Sequence, residues 1–171
     1  RQRQMCIRDR FDSAQGIDLP PQQRNVGLLF QNYALFPNMT VEQNILSALK
    51  KEKDPAARRA ACAEALRAMR LEELAKRLPG ALSGGQQQRA ALARILAAKP
   101  RILMLDEPFS ALDSYLREEV EGEVGSLLAG FAGTALLVTH NRDEAYRLCR
   151  EMIVMDSGEV LRAGTTKEVF A

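Results

Sequence analysis

The sequence has no tryptophan and little aromatic character, with six phenylalanines and three tyrosines among 171 residues. Proteins that bind single-stranded nucleic acid stack bases on aromatic side chains, so that class is disfavoured. An excess of one charge is also lacking, because 24 Lys and Arg residues stand against 22 Asp and Glu residues. Nucleic-acid-binding proteins need a clustered basic surface. We therefore expect no nucleic-acid partner.

Cysteine and histidine are scarce as well. The three cysteines, Cys6, Cys62 and Cys149, lie far apart, and the one histidine is His140. Zinc sites and disulfide frameworks need these residues at close spacings, so both are disfavoured and a reducing cytosolic compartment fits. Apolar runs such as 102–105 and 135–138 are far shorter than a membrane-spanning helix requires. Any association with a membrane is therefore expected to come through a partner protein.

The first ten residues, RQRQMCIRDR, share no pattern with the rest of the chain. They contain no apolar stretch and so do not form a signal peptide. The string resembles translated sequencing-adapter sequence, and we interpret residues 1–10 as non-native; a native basic arm is the alternative. Residues 11–171 are then expected to form one domain, long enough to bury a core.

Apolar runs and helix signals alternate along the remaining chain. The runs at 26–30, 101–105 and 135–139 predict three strands; the second is expected to be covered on both faces and the third to be buried. Capping residues and helical spacing predict helices from residue 40 onward and at 55–78, 85–98, 113–128, 142–148 and 165–170. Residues 152–155 and 160–163 flank Asp156-Ser157-Gly158 as a hairpin. Strands that alternate with helices indicate an α/β fold with a largely parallel sheet.

The most specific string is LSGGQQQR at 82–89. Ser83 and Gln86 form a capping box at a helix start, and Gly84 and Gly85 leave backbone N–H groups uncovered. A helix N-terminus with exposed amides and a partial positive charge favours the binding of a phosphate. A plain helix cap after a glycine-rich turn is the alternative for SGG alone, but the eight-residue string is much rarer.

Polar side chains follow each of the three predicted strands. Asp106 and Glu107 follow ILML, Gln31 follows VGLLF, and His140 follows ALLVT. The carboxyl ends of parallel strands meet at one edge of an α/β sheet, where ligands bind. There an Asp can hold Mg²⁺ through water, and a neighbouring Glu can polarise an attacking water. Each residue alone has a structural explanation: a strand that ends in solvent, a loop amide or a structural histidine. Because all three strand ends carry such residues, these separate explanations become less plausible.

The order FQ, LSGGQQQR, ILMLDEP, SALD and TH resembles the ATP-binding cassette (ABC) family over residues 11–171. The resemblance implies a P-loop NTPase-like nucleotide-binding domain that uses ATP and Mg²⁺, with a helical subdomain at 40–98 and a catalytic core in the remainder. It implies that Glu107 and His140 act in catalysis together with Gln31. It also implies that Asp106 and Gln31 hold Mg²⁺ through water. The nucleotide-binding residues implied are those of the signature motif and the D-loop: Ser83, Gly84, Gly85, Gln86 and Asp113.

The family's phosphate-binding P-loop, G-x-x-G-x-G-K-[ST], is absent from the sequence. Between Phe11 and Val26 the one glycine is Gly16, and the first lysine is Lys50. The domain is accordingly expected to lack its N-terminal Walker A strand, loop and helix, and the strands beside them to lose cover. We expect the chain alone to be inactive, because most contacts to its own nucleotide's phosphates are missing. A truncated gene model is the preferred explanation, and a natural subunit that donates its signature motif in trans is the alternative.

Segment 19–45, with ALFPNMTV after Gln31, resembles importer ATPases of the molybdate, sulfate, iron, spermidine and maltose group. The resemblance implies ATP-driven substrate uptake, with the chain peripheral to the cytoplasmic face of a bacterial cell membrane. The partners implied are a second ATPase subunit in a homodimer, transmembrane permease subunits and, indirectly, a periplasmic or lipid-anchored substrate-binding protein. Tyr33, Leu35 and Phe36 are expected to form an exposed apolar contact with a membrane subunit; local packing is the alternative.

The string THNRDEAYRLC, which includes His140, resembles molybdate-type members and favours molybdate as the imported substrate. Two other classes of function are the alternatives. A soluble DNA-repair or translation ATPase would carry long coiled-coil insertions or two cassettes, and neither is present. A non-hydrolysing interaction module would show weak ATP binding or none, which is also what we expect of the chain alone.

Overall fold

The computed structural model describes residues 11–12, 17–20, 23–110, 112 and 114–171. The predictions made for residues 1–10 and for Asp113 lie outside the described residues. Two short strands, β1 (Phe11–Asp12) and β2 (Ile17–Asp18), pair antiparallel near the start of the chain. The apolar pattern did not predict them, because two residues are too few to show a period.

A parallel three-stranded sheet positions the candidate site. Its strands are β3 (Val26–Leu29), β4 (Ile102–Asp106) and β5 (Thr134–Val138), in the order β3-β4-β5. Leu29 pairs with Leu105, and Asp106 pairs with Val138. The carboxyl ends of the three strands therefore lie at one edge of the sheet, as the alternating pattern predicts.

Helices connect the strands, because parallel neighbours need long crossover connections. They are α1 (Val41–Ala48), α2 (Pro55–Ala68), α3 (Gly84–Ala97), α4 (Ser114–Gly130) and α5 (Arg142–Leu148). Thr40 and Ser83 each form the predicted capping box at the start of α1 and α3. Helix α4 is continuous although Gly122 and Gly125 lie inside it.

The three helices α1, α2 and α3 enclose a hydrophobic core of their own. Val41, Ile45, Cys62, Leu66 and Leu71 are buried there, and all members of this cluster lie between residues 41 and 93. Cys62 lies in this core and is buried. This cluster is distinct from the core beneath the sheet, although Leu35 and Met69 pack against both.

A second core lies between the sheet and helices α3 and α4. Leu29, Leu103 and Leu105 point from the strands into this core, where Phe109 and Val124 are also buried. The close approach of β3 to α3 requires a glycine, because a Cβ atom on Gly27 would lie 2.3 Å from Ile95 Cγ2.

The opposite face of the sheet is open within the described part of the chain. Leu28, Met104 and Leu136 are in register on this face; Leu28 is 38% exposed and Leu136 is 46% exposed. The prediction that β4 is covered on both faces and β5 is buried is therefore wrong for these residues. In β5 only Leu137 packs against the sheet core. Helices α3 and α4 both cover the face on which Leu137 lies, and neither covers the face of Leu136.

Two further boundaries differ from the predictions. Helix α2 ends at Ala68 rather than near residue 78, because Arg70 adopts a positive φ of 51° and the fully buried Leu71 then turns into the helical core. Strands β6 (Glu151–Asp156) and β7 (Glu159–Thr165) form the predicted hairpin, with positive φ at Ser157 and Gly158. The short helix α6 (Thr166–Phe170) follows, capped by Thr165. Among the described residues, no helix has the length and apolar character to cross a membrane.

Candidate functional site

The structure places the predicted polar residues together where the strands end. Asp106 is the last residue of β4 and Glu107 is the next one, while Gln31 and His140 each follow two residues after β3 and β5. We call Gln31, Asp106, Glu107, Ser110 and His140 the strand-end cluster. Its geometry follows from the parallel register, which brings residues more than 100 positions apart in sequence to one edge.

Glu107 and His140 are in direct contact. His140 Nδ1 lies 3.0 Å from Glu107 Oε1. The backbone N–H of Glu107 donates to the Val138 carbonyl at 2.9 Å, which extends the β4–β5 pairing by one residue. Glu107 also has a positive φ of 43°, a conformation that costs free energy in a non-glycine residue and is concentrated at functional sites. Its carboxylate is therefore aimed by the backbone and held by the histidine.

Gln31 is linked to the backbone of Glu107 through Ser110. Gln31 Nε2 donates to Ser110 Oγ at 3.2 Å, and Ser110 Oγ donates to the Glu107 backbone carbonyl at 2.9 Å. Ser110 is not among the residues predicted from the sequence. A serine three positions after Glu107 is a local signal for a side-chain bond to a backbone carbonyl, but its contact with Gln31 spans 79 residues.

A buried carboxylate supports the His140 segment from behind. Glu144 is 4% exposed and accepts a hydrogen bond from Thr139 Oγ1. Thr139 Oγ1 in turn accepts from the Asn141 N–H at 3.0 Å. The Thr139 hydroxyl therefore links the residues before and after His140. Glu144 was also missed by the sequence analysis. In the sequence it reads as one more acidic residue in the first turn of a helix.

A small cavity of about 20 Å³ lies within this cluster, lined by Glu107, Ser110, Arg117, Thr139, His140 and Glu144. That volume accommodates roughly one water molecule, and the lining offers several hydrogen-bonding groups. A larger cavity of about 600 Å³ lies elsewhere, between the end of α2 and helices α3 and α4. The small polar cavity, and not the large one, coincides with the predicted chemistry.

Asp106 and Gln31 offer oxygen ligands of the kind that Mg²⁺ prefers. Asp106 is exposed at the tip of β4, and the Gln31 amide donates through Nε2 and so keeps its oxygen as an acceptor. In the described residues, no three His, Cys, Asp or Glu side chains form a group that could hold a metal ion. One or two protein ligands fit Mg²⁺, which keeps several waters and binds substrate phosphates.

The signature residues Ser83, Gly84, Gly85 and Gln86 form the start of α3. Ser83 Oγ accepts from the Gln86 N–H at 3.3 Å, and the Ser83 N–H donates to Gln86 Oε1 at 3.0 Å. Gly84 lies close to Leu112: a Cβ atom on Gly84 would be 3.3 Å from Leu112 Cδ2. No hydrogen bond found in the described residues joins residues 83–86 to the strand-end cluster. The structure thus contains two separate polar sites.

The three residues predicted to form an exposed apolar contact after Gln31 differ in their burial. Tyr33 is 5% exposed and belongs to the sheet core, so its predicted exposure is wrong. Leu35 is half-buried and packs against both cores. Phe36 is 47% exposed. Local packing, the alternative, accounts for Tyr33, which is buried in the sheet core and has a positive φ of 57°.

Comparison with known proteins gives concordant matches. The sequence profile of the ABC transporter family matches residues 7–110. The spermidine/putrescine import ATP-binding protein PotA of Bacillus thuringiensis (strain Al Hakam) is 45% identical over 154 residues, which cover 90% of this chain and 47% of the relative. The putrescine transport ATP-binding protein PotG of Escherichia coli (strain K12) is 44% identical over 159 residues, covering 91% of this chain and 42% of the relative. The chain thus spans less than half the length of these relatives.

Solved structures share the fold. The dimeric, post-hydrolysis state of the ATP-binding cassette MJ0796 bound to ADP and Pi superposes with a TM-score of 0.72 at 31% identity, over 91% of this chain and 68% of that one. The cbiO1 protein of Clostridium perfringens, part of the ABC transporter complex cbiONQ, gives a TM-score of 0.77 at 28% identity, over 85% and 59%. The fold is therefore that of an ABC nucleotide-binding domain. The chain belongs to the ABC transporter family.

Proposed function

We propose that the chain is part of the ATP-binding subunit of an ABC importer, and that its strand-end cluster hydrolyses ATP. The observation that carries the proposal is the contact between Glu107 and His140 at the ends of two parallel strands. The neighbouring contact of Gln31 with Ser110 adds a third family motif at the same place.

The chemistry assigned to this cluster follows from its groups. Glu107 is the general base: its carboxylate polarises the attacking water and accepts its proton. His140 and Gln31 lie on either side of Glu107 and contact the transferring phosphoryl group and the water, which orients both for in-line attack. Asp106 and Gln31 would hold Mg²⁺, whose charge stabilises the phosphate oxygens.

The signature residues serve the second site in a homodimer. Residues 83–86 form a capped helix start, and the partial positive charge of a helix N-terminus suits the γ-phosphate of the partner copy's ATP. Asp113 follows the strand-end cluster in the sequence and is proposed to lie at that dimer contact. The separate hydrophobic core within residues 41–93 supports the division into a helical subdomain at 40–98 and a catalytic core.

The transported substrate is proposed to be a polyamine. The relatives with 44–45% identity carry names that refer to spermidine and putrescine. The molybdate preference predicted from the string around His140 finds no support in these comparisons. Uptake of labelled spermidine, putrescine and molybdate after deletion of the gene separates the two. Loss of molybdate uptake alone would overturn the polyamine assignment.

Partners and location follow from the importer role. The chain is proposed to act at the cytoplasmic face of the membrane, bound to transmembrane permease subunits through the segment that contains Leu35 and Phe36. The exposed ring of Phe36 supports this contact. A substrate-binding protein would contact the permease rather than this chain.

The hydrolysis proposal is tested in the full-length protein by the Glu107→Gln substitution. Removal of a general base is expected to lower the rate of ATP hydrolysis by about 10²–10⁴-fold, while ATP binding remains. Hydrolysis retained at the wild-type rate would remove Glu107 from the role of base. ATP binding by the 171-residue chain alone is a separate measurement, and we expect weak binding or none.

A further inference from the structure

The loop after Gln31 holds an unusual backbone conformation. Tyr33 and Ala34 are consecutive non-glycine residues with positive φ, 57° and 46°. Left-handed conformations in two successive residues with side chains cost free energy and persist only where the surroundings enforce them. The Tyr33 N–H donates to the Phe30 carbonyl at 2.9 Å, and the Ala34 N–H donates to the Asn32 carbonyl at 2.7 Å, which closes a tight turn.

Arg94 of helix α3 contacts this turn. Its Nη1 donates to the Ala34 carbonyl at 2.8 Å, and its Nη2 donates to the Tyr33 carbonyl at 3.4 Å. The guanidinium carbon also lies 5.4 Å from the centre of the Phe36 ring. Burial lowers the pKa of Arg94 from its ordinary value. A charged donor in a partly buried position makes stronger hydrogen bonds than one in water.

Helix α3, which carries Arg94, and the turn that Arg94 contacts both lead to residues of the proposed site. Helix α3 begins at the signature residues 83–86, and Gln31 lies inside the turn that the Tyr33 N–H closes onto the Phe30 carbonyl. Gln31 contacts Ser110, and Ser110 bonds to the Glu107 carbonyl. A displacement of the turn would therefore move Gln31 relative to the carboxylate proposed as the base.

We propose that Arg94 is a positioning residue that holds the strained turn at Tyr33–Ala34 and thereby sets the place of Gln31 in the strand-end cluster. The inference rests on the proposed function for the role of Gln31. The fixation of the turn itself rests on the contacts of Arg94 alone. Nothing in the family motifs selects Arg94, which lies 60 residues from Ala34 in sequence.

The test compares Arg94→Met, Arg94→Lys and a matched control in the full-length protein. The control is Arg58→Met, because Arg58 Nη2 also donates to a backbone carbonyl, that of Leu46, at 3.0 Å. Amide hydrogen exchange of residues 33–36 is measured together with global stability in urea. With Arg94→Met, exchange at Tyr33 and Ala34 is expected to rise about 10-fold or more, the effect of losing bonds to a charged donor. Arg94→Lys should restore part of the protection, and Arg58→Met should leave residues 33–36 unchanged.

Hydrolysis of ATP is measured on the same three proteins, normalised to the folded fraction. Arg94→Met is expected to lower the rate at least about threefold and Arg94→Lys less, because Gln31 loses its fixed position. The proposal would be overturned if exchange at residues 33–36 rises no more in Arg94→Met than in Arg58→Met. It would also be overturned if exchange rises only in Arg94→Met but the rate of ATP hydrolysis does not change. A wild-type protein that hydrolyses no ATP would overturn the proposed function instead, while the exchange result would still decide whether Arg94 holds the turn.

Discussion

The start of α3 and the strand-end cluster are both polar sites at the ends of secondary-structure elements, but they are assembled over different distances along the chain. The capping box at Ser83 joins residues three positions apart. The contacts of the strand-end cluster join residues 33 and 79 positions apart. The first site therefore depends on local sequence, and the second depends on the register of the sheet and on the core beneath it.

This difference predicts different responses to substitution. A change in the sheet core should disturb the strand-end cluster and leave the helix start intact. A change in the capping box should weaken the helix start and leave the Glu107–His140 contact in place.

The sheet core beneath the strand-end cluster is tested by Leu103→Ala. Leu103 is fully buried between β4 and the helices, so its truncation leaves a cavity and is expected to lower the free energy of unfolding by about 2–5 kcal/mol. Urea unfolding of the 171-residue chain measures the change. Leu136→Ala on the open face of the same sheet is the control, and it should cost clearly less. Equal losses would show that the face is covered.

The contact between His140 and Glu107 is tested by His140→Ala in the full-length protein. Loss of a preorganised contact to the reacting phosphoryl group is expected to lower the rate of ATP hydrolysis by about 100-fold or more. Global stability should change little, because the His140 side chain is 77% exposed. A rate within threefold of wild type would exclude His140 from the reaction.

The bridge between Gln31 and Glu107 is tested by Ser110→Ala. The hydroxyl accepts from Gln31 and donates to the Glu107 carbonyl, so its loss is expected to lower hydrolysis by roughly 5- to 10-fold. Ser126→Ala is a matched control, because Ser126 Oγ also donates to a backbone carbonyl, that of Gly122, at 2.9 Å. The bridge has no role if both variants hydrolyse ATP equally fast.

The helix start is tested by Ser83→Ala alongside Thr40→Ala, which removes the equivalent cap of α1. Each substitution is expected to cost about 1 kcal/mol of unfolding free energy, the usual value of an N-cap. Only Ser83→Ala should also slow hydrolysis. A similar loss of hydrolysis in both variants would reduce the role of Ser83 to that of a structural cap.

The same contrast explains what the sequence could predict. The caps at Thr40 and Ser83, the turn at Ser157–Gly158 and the three parallel strands carry local signals, and the structure confirms them. The proximity of Glu107 and His140 followed from the rule that parallel strand ends meet. Ser110, Glu144 and Arg94 were missed, because their contacts depend on tertiary packing that no local pattern encodes.

The errors have the same origin. Leu136 and Val138 belong to an apolar run that predicts burial, yet they are 46% and 50% exposed in the described part of the chain, since both neighbouring helices pack on the other face. The sequence predicts Tyr33 to be an exposed anchor in a loop, but it is buried in the sheet core. Whether a side chain is covered depends on which elements lie above it, and a single strand or loop does not specify them.

The central claim, that the strand-end cluster of one copy works with the signature residues of another, is tested by mixing two inactive variants of the full-length protein. Glu107→Gln chains keep an intact helix start, and Ser83→Arg chains keep an intact strand-end cluster. In a mixed dimer one site then combines two defects and the other is intact. An equal mixture is therefore expected to regain about one quarter of the wild-type rate of ATP hydrolysis if the two sites act independently. A mixture that stays as inactive as either variant alone would contradict the claim and place both motifs in the site of a single chain.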